Sequence, residues 1–438
     1  MSQAPLTPSP LTPSQAPVEP HASTVALAPV AWKLPVVLGV LGIAALVFFG
    51  LLAPGGVHTT FTFSSSGDFF TVPEAVVPSR VTGTVLGVVL CGLAALSLWD
   101  ALARRASRRW LAVVFGVLFV LAFLVWAGAG RGLMTVTPLL AGGLALSVPL
   151  VFGAMAGLVG ERSGIVNIAI EGQLLAGAFL AAVVGSALTN PYIGLLAAIL
   201  AGALVAVVLT FFAVRYWVDQ IIIGVVLNVL VVGLTSFLYS TVLTQNPQLL
   251  NTSQALPNLP IPLLSDIPVL GPVFFDQTIL VYLMYLVVAG LHLFLFRSRW
   301  GLRTRAIGEH PRAADTVGIG VNRLRVANTI LAGGIAGLGG AFLTVGEGLA
   351  FGKDMSAGQG YIALAAMILG RWNPIGALFA ALLFGFTKNL GNVLKATGSP
   401  LPDDLLLMLP YIVTVFAVAG FVGRVRAPAA EGTPYRTQ

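Results

Sequence analysis

The chain has 438 residues, of which 57% are hydrophobic and 9% charged, with a formal net charge of +7 and a mean hydropathy of +0.95. Soluble domains carry about 25% charged residues, so the composition excludes a soluble globular protein and predicts an integral membrane protein with many spans. The positive balance does not indicate nucleic acid, because most Lys and Arg stand in short connections between apolar runs, the pattern of cytoplasmic loops.

Residues 1–30 are rich in Pro, Ser, Thr and Ala with little charge. Such a segment cannot bury a core, and it predicts a disordered cytoplasmic tail. It lacks the basic start of a signal peptide, so the first apolar run, Leu34 to Ala53, predicts a retained helix. A helix needs about 20 apolar residues to cross a bilayer. Spans are predicted on that basis at 34–53, 82–103, 110–129, 134–158, 166–187, 192–214, 220–243, 277–296, 326–347, 359–371, 375–388 and 407–423. The expected fold is all-α, a polytopic membrane protein of about 10 core segments plus two extra N-terminal helices. The extra helices fall in residues 31–110, the core in 111–423 and a cytoplasmic tail in 424–438.

With the N-terminus inside, only Arg80, Arg131, Lys353, Lys388 and Lys395 of the 23 basic residues fall outside. That bias places both termini in the cytoplasm. Two segments, 359–371 and 375–388, are short and flank "GRWNP", Gly370 to Pro374. They suggest a hairpin that only partly crosses, a form tolerated where irregular backbone is enclosed by protein or faces water. The outer connections 54–81 and 244–276 are long. The second mixes Pro, Asn and apolar residues and is either a lid over the outer mouth or an inert structured loop.

Cys91 is the one cysteine and sits in an apolar run, so no disulfide framework or zinc cluster is expected. His21, His58, His292 and His310 are dispersed without metal-ligand spacing. No Ser/His/Asp set and no paired carboxylates appear, so the catalytic and metal sites are both expected to be none.

"GERSGIVNIAIEG", Gly160 to Gly172, places Glu161, Arg162, Asn167 and Glu171 between two apolar stretches, where ionisable groups are costly. Glu161 and Arg162 fall at the inner boundary as an adjacent opposite pair. Ser163-Gly164 breaks the chain, and Ser163 is placed to cap the next helix. Asn167 and Glu171 are four residues apart and are expected on one helix face turned into the bundle. They either line the pathway or tie neighbouring helices. If Glu171 is only a tie, Glu171→Gln should be mild, since interhelical bonds in bilayers average about 0.6 kcal/mol. Asn228 is a lone amide in an apolar helix and reads the same way. The aromatic residues Phe211, Phe237, Tyr239 and Phe386 are expected mostly in packing and interface belts.

The loop from Arg297 to Arg325 contains His310-Pro311 and, seven residues beyond the proline, Gly318. Pro favours a first helical position and Gly a helix end, which predicts a short helix over 311–317 with Ala313, Ala314 and Val317 as its small-residue face. Two turns are not stable alone. The helix either docks into a groove on another protein or lies on its own membrane domain, with its Arg residues near lipid headgroups.

"GERSGIVNIAIEGQLLAGAF", "RAIGEHPRAADTVGIGV" and the stretch Gly333 to Gly385 resemble, in colinear order over 134–423, the permease subunits of simple-sugar and nucleoside-type ABC importers, within the wider ribose and branched-chain amino-acid permease group. The first motif, with Glu161, Arg162, Ser163 and Gly164, resembles the start of the permease core. The second resembles the coupling loop, which implies that Gly308, Glu309, His310, Pro311, Arg312, Ala313, Ala314, Asp315 and Gly318 meet an ATPase subunit. The resemblance further implies a second, non-identical permease, an external substrate-binding lipoprotein, membrane lipid around the chain and a bacterial inner-membrane location. No nucleic acid is expected. No phosphate-binding G-x-x-x-x-G-K-[ST] loop occurs in the chain, so no cofactor is expected on it, and ATP with Mg would sit on the partner. "GGIAGLGG" reads as small-residue helix packing. The motif forms favour a nucleoside, with a simple sugar second. The alternative from another class is an ion-coupled secondary transporter using Glu171.

Overall fold

The computed structural model describes residues 32–64, 68–105, 108–130, 133–252, 254–396, 402–421 and 426–436. The expectation for residues 1–30 lies outside them. Among the described residues ten helices are long and apolar enough to cross a membrane. They are α1 (Lys33–Leu51), α2 (Ser79–Leu102), α3 (Trp110–Ala127), α4 (Val136–Arg162), α5 (Ile170–Ala187), α6 (Pro191–Arg215), α7 (Gln220–Leu243), α8 (Ile279–Arg297), α11 (Val321–Gly346) and α13 (Pro374–Ala396). Between them lie α9 (Arg299–Glu309), α10 (Pro311–Thr316) and α12 (Gln359–Leu369), and α14 (Asp403–Phe421) follows. Local chemistry sets several starts. The Asn190 side chain accepts from Tyr192 N with Pro191 in the first turn of α6, and Asp219 accepts from Ile221 N and Ile222 N at the head of α7. Both are side-chain caps that satisfy orphan helix donors.

Burial separates a hub from a periphery. In α4 and α5, 72% of the most apolar window is buried, and in α11 78%, against 28% in α1 and α2. The hub is close-packed because its contacts are backbone on backbone. A Cβ on Gly337 would strike the Ala198 carbonyl of α6, and one on Gly177 of α5 would strike Gly337 itself. "GGIAGLGG" is therefore a packing stripe, as its small residues predict. The apolar core spreads from α4 and α11 onto α8, α12 and α13. A separate cluster, with Leu38, Leu90, Phe115 and Ala122, joins α1, α2 and α3. Helix α3 packs on both sides, since its Leu124 and Val125 also join Leu139 of α4 and Leu390 of α13 in a further cluster.

Two small sheets were not expected. β1 (His58–Thr62) pairs antiparallel with β2 (Ala75–Pro78) and parallel with β3 (Leu133–Thr135). β4 (Asn258–Pro260) pairs antiparallel with β5 (Asp276–Thr278). β2, β3 and β5 lead directly into α2, α4 and α8, while β1 and β4 lie within the two long connections. These connections meet, as Phe69 N donates to Asp266 O at 2.9 Å. The connection 244–276 is structured: its Leu256 is buried and Leu256 N donates to Val345 O at 2.9 Å.

The suggested half-crossing hairpin needs correction. Helix α12 is short at 11 residues, but α13 has 23 and runs on through Lys388 and Lys395. The polar residues that end the apolar run do not end the helix. At 1.5 Å per residue, α12 covers about 16 Å, half of a core about 30 Å thick. One broken crossing results, made of the loop 347–358 followed by α12.

Candidate functional site

The broken crossing is held by Glu171, in the first turn of α5. Its Oε1 accepts from Ser356 Oγ at 2.6 Å and Gly358 N at 2.8 Å, and its Oε2 accepts from Gly360 N at 2.6 Å. The side chain is 4% exposed. A carboxylate here satisfies the free N–H groups at the head of α12 and faces the positive end of that helix. Asn228 of α7 completes the arrangement. Its Oδ1 accepts from Gly172 N at 2.8 Å, and its Nδ2 donates to Ile168 O at 2.9 Å and to Tyr361 Oη at 3.0 Å. Three elements distant in sequence, α5, α7 and α12, are thereby fixed to each other.

Asn167 stands differently from its expected place. It precedes α5, which starts at Ile170, so it shares no helix face with Glu171. Its amide pairs with that of Gln173, through Nδ2 to Oε1 at 3.0 Å and Nε2 to Oδ1 at 3.2 Å. Ser163 does not cap the following helix. Its Oγ donates back to Gly160 O at 2.7 Å, while the cap position of α5 is Ala169, which offers no side-chain hydrogen bond. The cause is Gly164, whose φ of 90° turns the chain sharply after α4 and leaves Ser163 in the last turn.

The loop 347–358 is pinned at Phe351. Asn251 bonds its backbone both ways, Nδ2 to Phe351 O at 3.1 Å and Phe351 N to Oδ1 at 2.7 Å. The ring stands edge-on to Phe179 at 5.1 Å and tilted against Tyr239 at 6.2 Å. Of the other aromatics singled out from sequence, Phe211 packs against Phe212 and Tyr216, Phe386 is partly buried and Phe237 is exposed.

The opposite end gathers the basic loops. Trp372 Nε1 donates to Glu161 Oε2 at 2.6 Å, and Arg162 Nε and Nη2 donate to Trp372 O at 3.2 and 2.9 Å. The adjacent pair thus grips the turn between α12 and α13 rather than itself. Helix α10 runs from Pro311 to Thr316, and Gly318 has φ of 81°, as its Pro start and Gly stop predict. Its face is not the expected one. Ala314 is buried against Ile307 and Val321, while Ala313 is exposed and Val317 is 74% exposed. Arg312 is exposed, Pro311 is half-buried and His310 gives no side-chain cap. Gly308 lies against the Arg162 carbonyl so closely that a Cβ would collide with it.

The tail segment 426–436 straps these loops together, which composition gave no reason to expect. Ala430 N donates to Gly308 O at 2.8 Å, Gly432 N to Gly164 O at 3.2 Å and Ala429 N to Glu309 Oε2 at 3.2 Å. Tyr435 Oη donates to Asp315 Oδ2 at 2.7 Å, a bond that holds the phenol above its usual range. Arg325 is 1% exposed. Its guanidinium donates to Ser163 O at 3.1 Å, Thr433 O at 2.9 Å and Ala430 O at 3.4 Å. Burial pushes the Glu431 carboxyl upward. Deleting 429–438 should leave Arg325 buried with one remaining acceptor. Hydrogen bonds to charged groups contribute about 1.5–3 kcal/mol each, so a loss of at least about 3 kcal/mol in detergent-denaturation stability is expected. Adding Arg325→Leu to the truncated chain should recover part of it. No loss on truncation would show that the strap does not carry the guanidinium.

The roles of Arg325, Trp372, Gln173 and the strap are not legible in the sequence. Sequence position puts Arg325 at the end of a basic loop, yet it lies one turn inside α11, where a charge needs internal partners. Gln220 Oε1 likewise accepts from Val166 N at 2.8 Å. Among the described residues no group of three or more His, Cys, Asp or Glu is placed to hold a metal.

The described residues thus form a polytopic bundle with a broken crossing and with a short helix displayed on its basic end. The chain belongs to the family described as the branched-chain amino acid transport system permease component, which matches residues 139–418. It is similar to the guanosine ABC transporter permease protein NupQ of Bacillus subtilis (strain 168), 39% identical over 303 residues that cover 67% of this chain and 94% of the relative. The nucleoside ABC transporter permease protein NupC of Lactococcus lactis subsp. cremoris (strain MG1363) is 38% identical over 301 residues, with the same two coverages of 67% and 94%. No solved structure matches the chain. The protein is a multi-pass membrane subunit of an ABC transporter, and the ion-coupled alternative falls with that assignment. Helices α1, α2 and α3 all lie before the matched region.

Proposed function

We propose that this permease is half of the membrane channel of an ATP-driven importer for nucleosides in a bacterial inner membrane. The observation that carries the reading is the likeness, across nearly the whole length of each, to two permeases named for guanosine and nucleoside transport. The basic end then faces the cytoplasm, in keeping with the positive-inside bias. A second permease would complete the channel, an external binding protein would deliver substrate, and a separate ATPase would hold ATP and Mg.

Helix α10 is the contact proposed for the ATPase. Ala314 anchors it to its own chain, while Ala313 and Val317 present small apolar surface outward. The link from α10 through Gly308 to the GERSG turn, and from Glu161 and Arg162 to Trp372, gives a push on the helix a rigid route to the broken crossing.

The assembled complex in proteoliposomes should accumulate nucleoside on ATP, with or without a proton gradient. In a Cys91→Ala background, Ala313→Cys should crosslink to the ATPase. A thiol at 313 that stays freely reactive in the active complex would remove α10 from the interface. Uptake that follows the proton gradient at constant ATP would overturn the energy source.

A further inference from the structure

A cleft of about 260 Å³ opens between α4, α12, α13 and α14. One wall is a stripe of α13, since Phe384, Lys388, Asn392 and Lys395 all line it and their spacing of three to four residues puts them on one helix face. At its rim Lys395 and Asp403 form an ion pair of 2.7 Å with both side chains more than half exposed. Its other end reaches Gln359, the first residue of α12.

Two groups in the cleft lack what their burial requires. Gln359 is 7% exposed and its Oε1 has no hydrogen-bond partner. Its neighbours Ser356, Gly358 and Gly360 are all committed to Glu171, and Glu171 does not line the cleft. A buried polar atom left unpaired is costly and calls for an explanation. Lys388 lies within a membrane-spanning helix, where a cation normally pairs or marks a pathway. The one acid lining the cleft, Asp403, is taken by Lys395, and Lys388 has no ion pair among the described residues. The cleft thus has the Lys388 side chain and the apolar surface of Leu150 and Phe384 on its walls, with the unpaired Gln359 Oε1 enclosed just behind its lining. Ligand pockets begin at about 300 Å³, so the space suits one small solute and not a peptide or a lipid tail.

Resting on the nucleoside reading above, we propose that this cleft is a transit site that grips the base of the nucleoside. The Gln359 amide turns into the cleft to accept from a base N–H, and Lys388 donates to a ring nitrogen or exocyclic oxygen. A flat solute with donor and acceptor edges fills both vacancies, and the oxopurines, with O6 and N7 acceptors beside N–H donors, match both.

The test uses the complete complex with its binding protein and ATPase in proteoliposomes. Uptake of guanosine, adenosine and uridine is compared in the wild type, Gln359→Leu and Lys388→Met. Each variant should lower guanosine uptake at least tenfold and narrow its advantage over uridine, with ATPase activity retained. Asn392→Cys, made in Cys91→Ala, reads the site directly: transported guanosine should slow its modification by a small thiol reagent, and glucose should not. This readout also decides the matter if a Gln359 or Lys388 variant fails to assemble. A wild-type complex that moves no nucleoside overturns the nucleoside reading and this site together. Normal uptake and base preference in both variants, or labelling at 392 that guanosine leaves unchanged, overturns the cleft alone.

Discussion

Glu171→Leu is expected to abolish stable assembly and with it transport. The change leaves Ser356 Oγ, Gly358 N and Gly360 N without their acceptor. Each buried donor so stranded costs about 1–3 kcal/mol, and the sum is comparable with the whole stability of a typical protein, about 5–15 kcal/mol. Glu171→Gln separates charge from hydrogen bonding. Average bilayer bonds suggest that it is mild, but the geometry says otherwise. An amide has one acceptor oxygen and two donors on nitrogen. Whichever way it turns, the NH2 group meets the backbone N–H of Gly358 or Gly360, and only Ser356 can rotate to accept. A loss of about 1–3 kcal/mol is expected, with reduced but measurable uptake. Thermal inactivation in detergent and uptake on ATP both check this. Wild-type stability in Glu171→Leu would mean that the loop 347–358 holds its place without the carboxylate.

Gly337→Ala should be nearly as damaging, although it adds a single methyl. That methyl would collide with the Ala198 carbonyl, and the Gly177 backbone already stands where no side chain fits. Overpacking typically costs about 1–3 kcal/mol when side chains can shift. Here backbone must move, so α5 and α6 would separate from α11 at the centre of the hub. The control is Gly233→Ala on α7, where a Cβ meets nothing within 4 Å. That change should be neutral or slightly stabilising, as Ala exceeds Gly in helix propensity by about 1 kcal/mol. The ratio of folded to aggregated protein on size-exclusion chromatography reads both variants. Equal yields would show that the helices tolerate wider spacing than the contacts imply.

The membrane class and the placement of the crossings were legible in the amino-acid sequence, because a run of about 20 apolar residues buries itself in lipid whatever its neighbours do. Caps such as Asp219 and the limits of α10 are also local, since each depends on a side chain within a turn of the backbone it serves. The partners of the buried polar groups were not legible. Glu171 meets a loop 185 to 189 residues away, and Arg325 meets Ser163 and Thr433, 162 and 108 residues away. An apolar helix gives its polar residue a need for a partner but not an address. That address is set by which helices approach closely, and the glycine contacts among α5, α6 and α11 set it here. For the same reason Asn167 could be read as facing with Glu171 until the turn at Gly164 placed it outside the helix, beside Gln173. The cleft, the strap and the broken crossing all belong to this second kind. Each exists only where separate segments are brought together, so only the tertiary structure decides it.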